Sequence, residues 1–550
     1  MLKLFGFLLV FSLATWLAKF LYQGFKIRRW FRQLIAQGIP VVQPHSLLLG
    51  HLPIMKGLST GLPDDAHFTY GNLKIYLNWR KYFPGEVKCP PVIYLDLWPF
   101  FPQPIVYINS PEACSQLTQE HTQPRHPMHR WALTPVTNGK DLISMACTDM
   151  AAHRLWRSRL NPGFSSRNLM LNMPALLEEV EIFVKLLINN IGHGGNWGVP
   201  FTLYDRAISL TFDVIARITL DLQLYEQTKG PGPLFQALSN LIPYSKVDSL
   251  WNRVERLLPK YRKTVFENRK VLHDTLLKQI EQNILSNTKG HKTIVDLALQ
   301  EWQSESNNQD NRPSPQFIET VISQINFFLF AGHNTTAQTI CWALYEVNRN
   351  PAVLTAVRAE CEDVLGPDIR NAAETLGSKP YESNKLRYTN AVVRETLRVH
   401  NLSETFRQGS SDFKFNLDGT LFPTEGCLIQ TDPSTLHIRE DLWPRATEFL
   451  PERFIVQEGH PLYPVKNAWR PFEMGSMRCI GEELAMLEIA LVLAFTVLEL
   501  DVDFDREEWD ELQKCTGPPD MVFGQRNYRC GEGVGRIKDD MPIRARLRKR

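Results

Sequence analysis

The sequence lacks any C-x-x-C pair. Its nine cysteines, at 89, 114, 147, 341, 361, 427, 479, 515 and 530, stand singly. Their wide spacing argues against a clustered zinc site, and their odd number argues against a secreted disulfide scaffold. An excess of charge of either sign is also missing. With 61 basic against 59 acidic side chains, a formal charge of +2, no global field draws the chain to nucleic acid. There is no G-x-G-x-x-G at a strand-to-helix turn and no P-loop, so the chain has no phosphate cradle for a flavin or nicotinamide of its own. Repeats and low-complexity tracts are missing too, and Ser304 to Pro315 is the one extended polar run. What is present is a chain of 550 residues, 43% hydrophobic and 22% charged, able to bury a large core.

From Leu4 to Tyr22 the residues are almost all apolar, and the uncharged part ends at Ala18. A helix over this run would span roughly 28 Å, near a bilayer's hydrocarbon thickness, provided that Lys19 snorkels to the headgroups. Lys26, Arg28, Arg29 and Arg32 follow, with Trp30 and Phe31 among them, and the positive-inside rule places the chain beyond them in the cytosol. A cleaved signal peptide would need a small-x-small cleavage site and fits the odd cysteine count poorly. The expectation is an uncleaved single-pass anchor over 1–25, a basic, proline-containing linker over 26–45 with Pro40 and Pro44, and one catalytic domain over 46–550. Apolar spacing predicts helix over Val180 to Asn189 and over Gln316 to Arg349, where Pro351 stops it. Short β-like runs lie at Val92 to Leu95, Ile105 to Ile108 and Cys427 to Gln430. The fold class is mainly α with small β-sheets.

The sharpest local signal is Arg470-Pro471-Phe472-Glu473-Met474-Gly475-Ser476-Met477-Arg478-Cys479-Ile480-Gly481, followed by an apolar helical stretch from Glu482. A cysteine just before a helix presents its sulfur to the positive end of the helix dipole and can be held as thiolate. Gly475 and Gly481 permit turns, Phe472 can cover the sulfur, and a shielded thiolate suits a soft or borderline metal. An isolated cysteine is most often a plain buried residue.

This run resembles the haem-thiolate loop of the cytochrome P450 superfamily, F-x-x-G-x-x-R-C-x-G. The resemblance implies that Cys479 is the proximal ligand of the iron of haem b, with Phe472, Gly475 and Arg478 around it. Where the family places an arginine two residues before the cysteine, this chain has Met477, with Arg478 adjacent to the sulfur. Arg394-Glu395-Thr396-Leu397-Arg398 resembles the family's E-x-x-R, and Pro451-Glu452-Arg453-Phe454 its P-E-R-F segment, so Glu395, Arg398 and Arg453 are expected as a structural network. His153 and Arg157, four apart on one helix face, resemble the helix that meets haem propionates, with histidine in the tryptophan slot. A further propionate contact is assigned to Arg407. Arg154 and Arg159, on other faces, suit a docking redox partner. Asn401-Leu402 stands where the family often has two prolines.

Ala331-Gly332-His333-Asn334-Thr335-Thr336 resembles A-G-x-D/E-T-T/S of the oxygen-activating helix. Ala331 and Gly332 leave room for a diatomic ligand, and Thr335 supplies a hydroxyl for proton relay, although a mid-helix threonine also bonds readily to its own backbone. Asn334 replaces the acid. Either it organises a water chain for altered proton delivery, or the enzyme rearranges an activated substrate without external electrons. Phe327, Phe328 and Phe330 would line one side of an apolar pocket or simply pack the core, and Trp131 to Ser144 should form a loop over the distal side.

The resemblance implies a P450-fold monooxygenase that inserts one atom of O2 into an apolar small molecule, by hydroxylation, epoxidation or further oxidation, in secondary-metabolite or lipid metabolism, as in fungal members. Its electrons would come from NADPH through NADPH-cytochrome P450 reductase on the same endoplasmic reticulum membrane, with membrane lipid as a further partner and nucleic acid as none. The alternatives are a P450-fold isomerase or dehydratase turning over without NADPH, a non-catalytic haem-binding protein, and an interaction protein that binds no haem.

Overall fold

The computed structural model describes residues 2–286, 293–305, 313–504 and 506–549, so most of the polar run from Ser304 lies outside the described residues. The chain is mainly helical with small sheets and divides into two compact units.

One unit gathers the chain up to Asp64, Phe68–His126 and Glu404–Leu436. Helix α1 (Leu2–Ala36) runs well past residue 25, so the basic residues expected in a linker are helical. The reason is spacing: Ile27, Phe31 and Leu34 share one face and are buried with Val92, Tyr94 and Val106 of the sheet. Arg28 is buried as well, paired with Asp96 and donating to the Trp98 carbonyl at 3.2 Å. Towards the N-terminus α1 instead exposes its apolar side chains, among them Phe5, Phe7, Val10, Phe11, Leu13 and Trp16. Among the described residues no helix is long and apolar enough to cross a membrane. The side chains of residues 2–4, 6 and 9, in and beside the start of the expected span, lie outside that description.

The larger sheet of this unit is β1 (Val92–Leu95), β2 (Ile105–Ile108), β3 (Thr405–Gln408) and β4 (Leu428–Thr431), in the order β1-β2-β4-β3. β1 and β2 pair antiparallel with Val92 opposite Ile108, β2 and β4 parallel with Ile105 opposite Leu428, and β3 and β4 antiparallel with Thr405 opposite Thr431. Strands β1, β2 and β4 are buried at every residue, and β1 and β2 accordingly read as continuous apolar runs and not as alternation. The parallel pair is possible because a long excursion of chain separates β2 from β4.

The other unit gathers Asp65–His67, Pro127–Ser403 and His437–Arg550. Its main helices for function are α2 (Met128–Thr137), α3 (Leu142–Thr148), α4 (Met150–Leu160), α5 (Met173–Ile188), α6 (Leu203–Leu220), α7 (Pro315–Arg349), α8 (Arg387–Val399) and α9 (Glu482–Glu499). Trp131 to Ser144 is therefore mostly helical, which corrects the expected loop. Asn138 ends α2 in the left-handed region at φ 56°, and the Asp141 carboxylate starts α3 by accepting the Ser144 N–H at 2.9 Å. Helix α7 begins at a Ser314 cap with Pro315 in its first turn and ends before Pro351. Its 35 residues reach about 52 Å, with α6, α8 and α9 packed along it. Both α7 and α9 are buried over most of their length, so they form the centre of the core and not its rim.

Candidate active site

The loop in front of α9 is built from backbone contacts. The Cys479 N–H donates to the Phe472 carbonyl at 2.9 Å, and the Arg478 N–H to the Gly475 carbonyl at 3.2 Å. Gly475 sits at φ 84°, a conformation that L residues resist. Cys479 is exposed, three residues before Glu482 starts α9. A Cβ built on Gly481 would lie 4.0 Å from the Cys479 sulfur and 4.0 Å from a Phe164 ring carbon, so the thiol and Phe164 flank this glycine. Met477 is buried, whereas the Arg478 guanidinium is 57% exposed and lies 3.8 Å from the Glu482 carboxylate one turn on. Burial pushes the Cys361 thiol up to about 12 and Cys530 to about 11, so those thiols stay protonated near neutrality.

Behind the loop, His437 joins two segments. It accepts from the Arg470 backbone N–H at Nε2 (3.1 Å), so its proton lies on Nδ1 and is donated to the Arg398 carbonyl at 3.0 Å. Burial holds this ring neutral, with a pKa lowered to about 3. The Arg470 guanidinium, also buried, pairs with Glu473 inside the loop.

Glu395 on α8 accepts from Arg398 at both oxygens, 2.7 Å each, and from Arg453 Nε at 3.2 Å. All three side chains are fully buried. The remaining guanidinium donors are spent on carbonyls: Arg398 on those of His437, Ala446 and Glu448, and Arg453 on those of Pro444 and Arg445. The network thus fixes the irregular chain from His437 to Phe454. Ser403 adds a contact to the loop itself, its hydroxyl donating to the Pro471 carbonyl at 2.9 Å, while Asn401 Nδ2 donates to the Ser403 carbonyl at 2.8 Å.

On α7, Ala331 and Gly332 are half-buried where α6 comes close: a Cβ at Gly332 would meet Ile215 at 3.2 Å. The Thr335 hydroxyl donates to the Ala331 carbonyl at 2.9 Å, the backbone bond open to any mid-helix threonine. Asn334 faces neighbours that sequence reasoning did not supply. Its Oδ1 accepts from the Tyr204 hydroxyl at 2.7 Å and from Gln338 Nε2 at 2.8 Å, and its Nδ2 donates to the Gly535 carbonyl at 3.3 Å. Gln338, four residues on, was within reach of a helical-spacing argument; Tyr204 and Gly535 were not, being distant in sequence. Phe327 and Phe328 are buried in the core, with Phe328 edge-on to Phe164 at 5.1 Å, and Phe330 is half-buried.

His153 and Arg157 lie on α4, which starts at an Asp149 cap accepting the N–H groups of Ala151 and Ala152. His153 is buried and its Nδ1 donates to the Leu142 carbonyl at 3.0 Å. Leu142 is held in turn, its N–H donating to Gln324 of α7 at 3.0 Å. Arg407 belongs to the other unit, on β3, where it is buried and donates to the Gln123 carbonyl at 3.0 Å.

The family model for Cytochrome P450 matches residues 95–529 of this chain, most of its length. The chain belongs to the cytochrome P450 family. Cytochrome P450 monooxygenase polC of Polytolypa hystricis is 34% identical over 97% of this P450 and 94% of that protein. Cytochrome P450 monooxygenase acrF of Aspergillus aculeatus is 28% identical over 82% of this chain and 92% of its own length. Cytochrome P450 3A7 of Homo sapiens is 24% identical over 79% of this P450 and 84% of its own length. Membership implies a haem held by a cysteine thiolate, a reductase partner, O2 and an apolar substrate. The donor set fits that group. Of the cysteines described, Cys479 alone joins exposure to a place before a long helix.

Proposed function

We propose that this P450 is a haem-thiolate monooxygenase that inserts one oxygen atom from O2 into an apolar small molecule of secondary or lipid metabolism, with Cys479 as the residue that would hold the haem iron. Bound there, haem would supply dioxygen activation. The observation that carries this function is the exposed Cys479 at the N-terminus of α9, its backbone pinned to Phe472 and its loop buttressed by the Arg398 network through His437.

The protein's own groups divide the work. The N-terminal end of α9 favours the anionic state of the Cys479 sulfur. Phe472 and Gly475 shape the loop around it. His153 and Arg157, one turn apart, offer donors to the haem carboxylates. Ala331 and Gly332 keep α7 free of bulk beside the reacting centre, and the Thr335 hydroxyl, by leaving the Ala331 carbonyl, can direct a hydrogen bond into that space. Electrons come from NADPH through NADPH-cytochrome P450 reductase. The exposed apolar half of α1 supports anchoring in the endoplasmic reticulum membrane with the catalytic units in the cytosol.

The test is turnover of the full chain with reductase, NADPH, isotopically labelled dioxygen and a library of lipophilic compounds. A product carrying one labelled oxygen is expected, and none with Cys479→Ser. Asn334 in the place of the acid is the one feature that favours redox-neutral rearrangement. Products formed equally well without NADPH would replace oxygen insertion by that chemistry.

A further inference from the structure

We propose that Asn334 is a positioning residue that clamps the oxygen helix to the C-terminal hairpin, with Tyr204 and Gln338 as its partners, and that it is no station for protons. The hairpin pairs Arg529–Cys530 with Arg536–Ile537. Its Gly535 carbonyl receives two donors from α7, Asn334 Nδ2 at 3.3 Å and Gln338 Nε2 at 2.9 Å. The same Asn334 amide turns its oxygen to Tyr204 and Gln338, at 2.7 and 2.8 Å, which takes up both lone pairs. No acceptor site is left on that oxygen for a water chain.

The junction requires a donor and an acceptor on adjacent atoms of one short side chain. Asparagine has both. An ionised aspartate would keep the Tyr204 and Gln338 bonds but would set a second anionic oxygen against the Gly535 carbonyl, with no hydrogen to share. The replacement of the family's acid is thereby accounted for by the neighbours of residue 334. Gly535 is part of the device: it lies at φ 71°, and a Cβ there would meet the Cys530 carbonyl at 2.6 Å, so this hairpin presents the carbonyl only with glycine. Tyr204, at the start of α6, is buried, and burial raises its phenol still further above the ordinary value, which suits a fixed donor and not a proton carrier. The other titratable groups facing it are Arg536, Asp540, Asp205 and Cys341, with Arg536 paired to Asp540. The contacts stand by themselves; only the naming of α7 as the oxygen helix rests on the proposed function.

Hydrogen–deuterium exchange of the full-length holoprotein tests the clamp, read on peptides covering residues 529–537. Tyr204→Phe removes one donor, and exchange of those peptides should rise roughly two- to tenfold, the worth of one hydrogen bond, with the ferrous–CO band unchanged. Asn334→Asp should loosen the hairpin at about pH 8, where the ionised carboxylate offers Gly535 no hydrogen. Should either variant unfold, Gln338→Ala offers a third readout of the same peptides. Wild-type exchange in all of these variants, or tighter coupling of NADPH use to product in Asn334→Asp, overturns the proposal. A wild-type protein without the thiolate ferrous–CO band would overturn the proposed function instead, leaving the exchange result intact.

Discussion

At Glu395 two guanidinium groups converge on one carboxylate, and all three side chains are closed to solvent. Removing the shared partner strands two buried cations, so Glu395→Ala should cost about 3–5 kcal/mol, read by denaturant unfolding, and should lower the haem retained on purification. Arg478 is the opposite case. Its ion pair with Glu482 is solvent-screened, and Arg478→Ala should change stability by less than about 1 kcal/mol and leave the ferrous–CO band in place. Protonation follows from burial at four histidines: His51 and His333 are lowered to about 4, and His67 and His437 to about 3. Each folded value lies below the ordinary 6.5, so the unfolded chain binds more protons between them. Their neutral burial is without penalty above that value, and stability falls with acidification below it, by up to about 1.4 kcal/mol per pH unit for each ring. Glu179 works the other way: burial raises it to about 7, so it costs stability as pH rises from 4.5. Unfolding measured from neutral to acid pH should therefore steepen below about 6.5, and His437→Gln should remove one proton's worth of that slope.

Elements differ in how far the sequence announces them. Helix α7 was legible from Gln316 to Arg349 because its apolar spacing, its length and Pro351 are local signals. The strands at 92 and 105 were legible because full burial writes itself as an unbroken apolar run. Residues 131–144 were not: two short helices joined at Asn138 and Asp141 leave too little periodicity, and their anchors, such as Gln324 to Leu142, are long-range. The same holds for α1 beyond residue 25, whose Ile27, Phe31 and Leu34 find partners only in the sheet. In the site, Cys479 and the residues of the Glu395 network were legible as motifs, but His437, Tyr204 and Gly535 act through contacts that no spacing records. Within the cysteine loop the two glycines should behave differently. Gly475→Ala, at φ 84°, should cost about 1–2 kcal/mol and reduce the fraction of protein with thiolate ligation. Gly481→Ala should be tolerated, since its nearest neighbours leave 4.0 Å for the added carbon.

At the scale of the whole molecule, the chain brings a ligand loop and an oxygen helix but no nucleotide cradle, so purified alone it should not consume NADPH, and adding the reductase should start consumption. The exposed apolar half of α1 should carry the membrane affinity. Placing lysine at Phe11 and Leu13 should cost up to about 3 kcal/mol for each in the bilayer centre and release the protein from liposomes in flotation. The proposed catalysis turns on one bond from sulfur to iron. The ferrous–CO difference spectrum reads that bond directly. The wild-type protein should give the long-wavelength band of an axial thiolate, and Cys479→Ser should lose it. A Cys479→Ser protein that keeps both that band and its turnover would contradict the account.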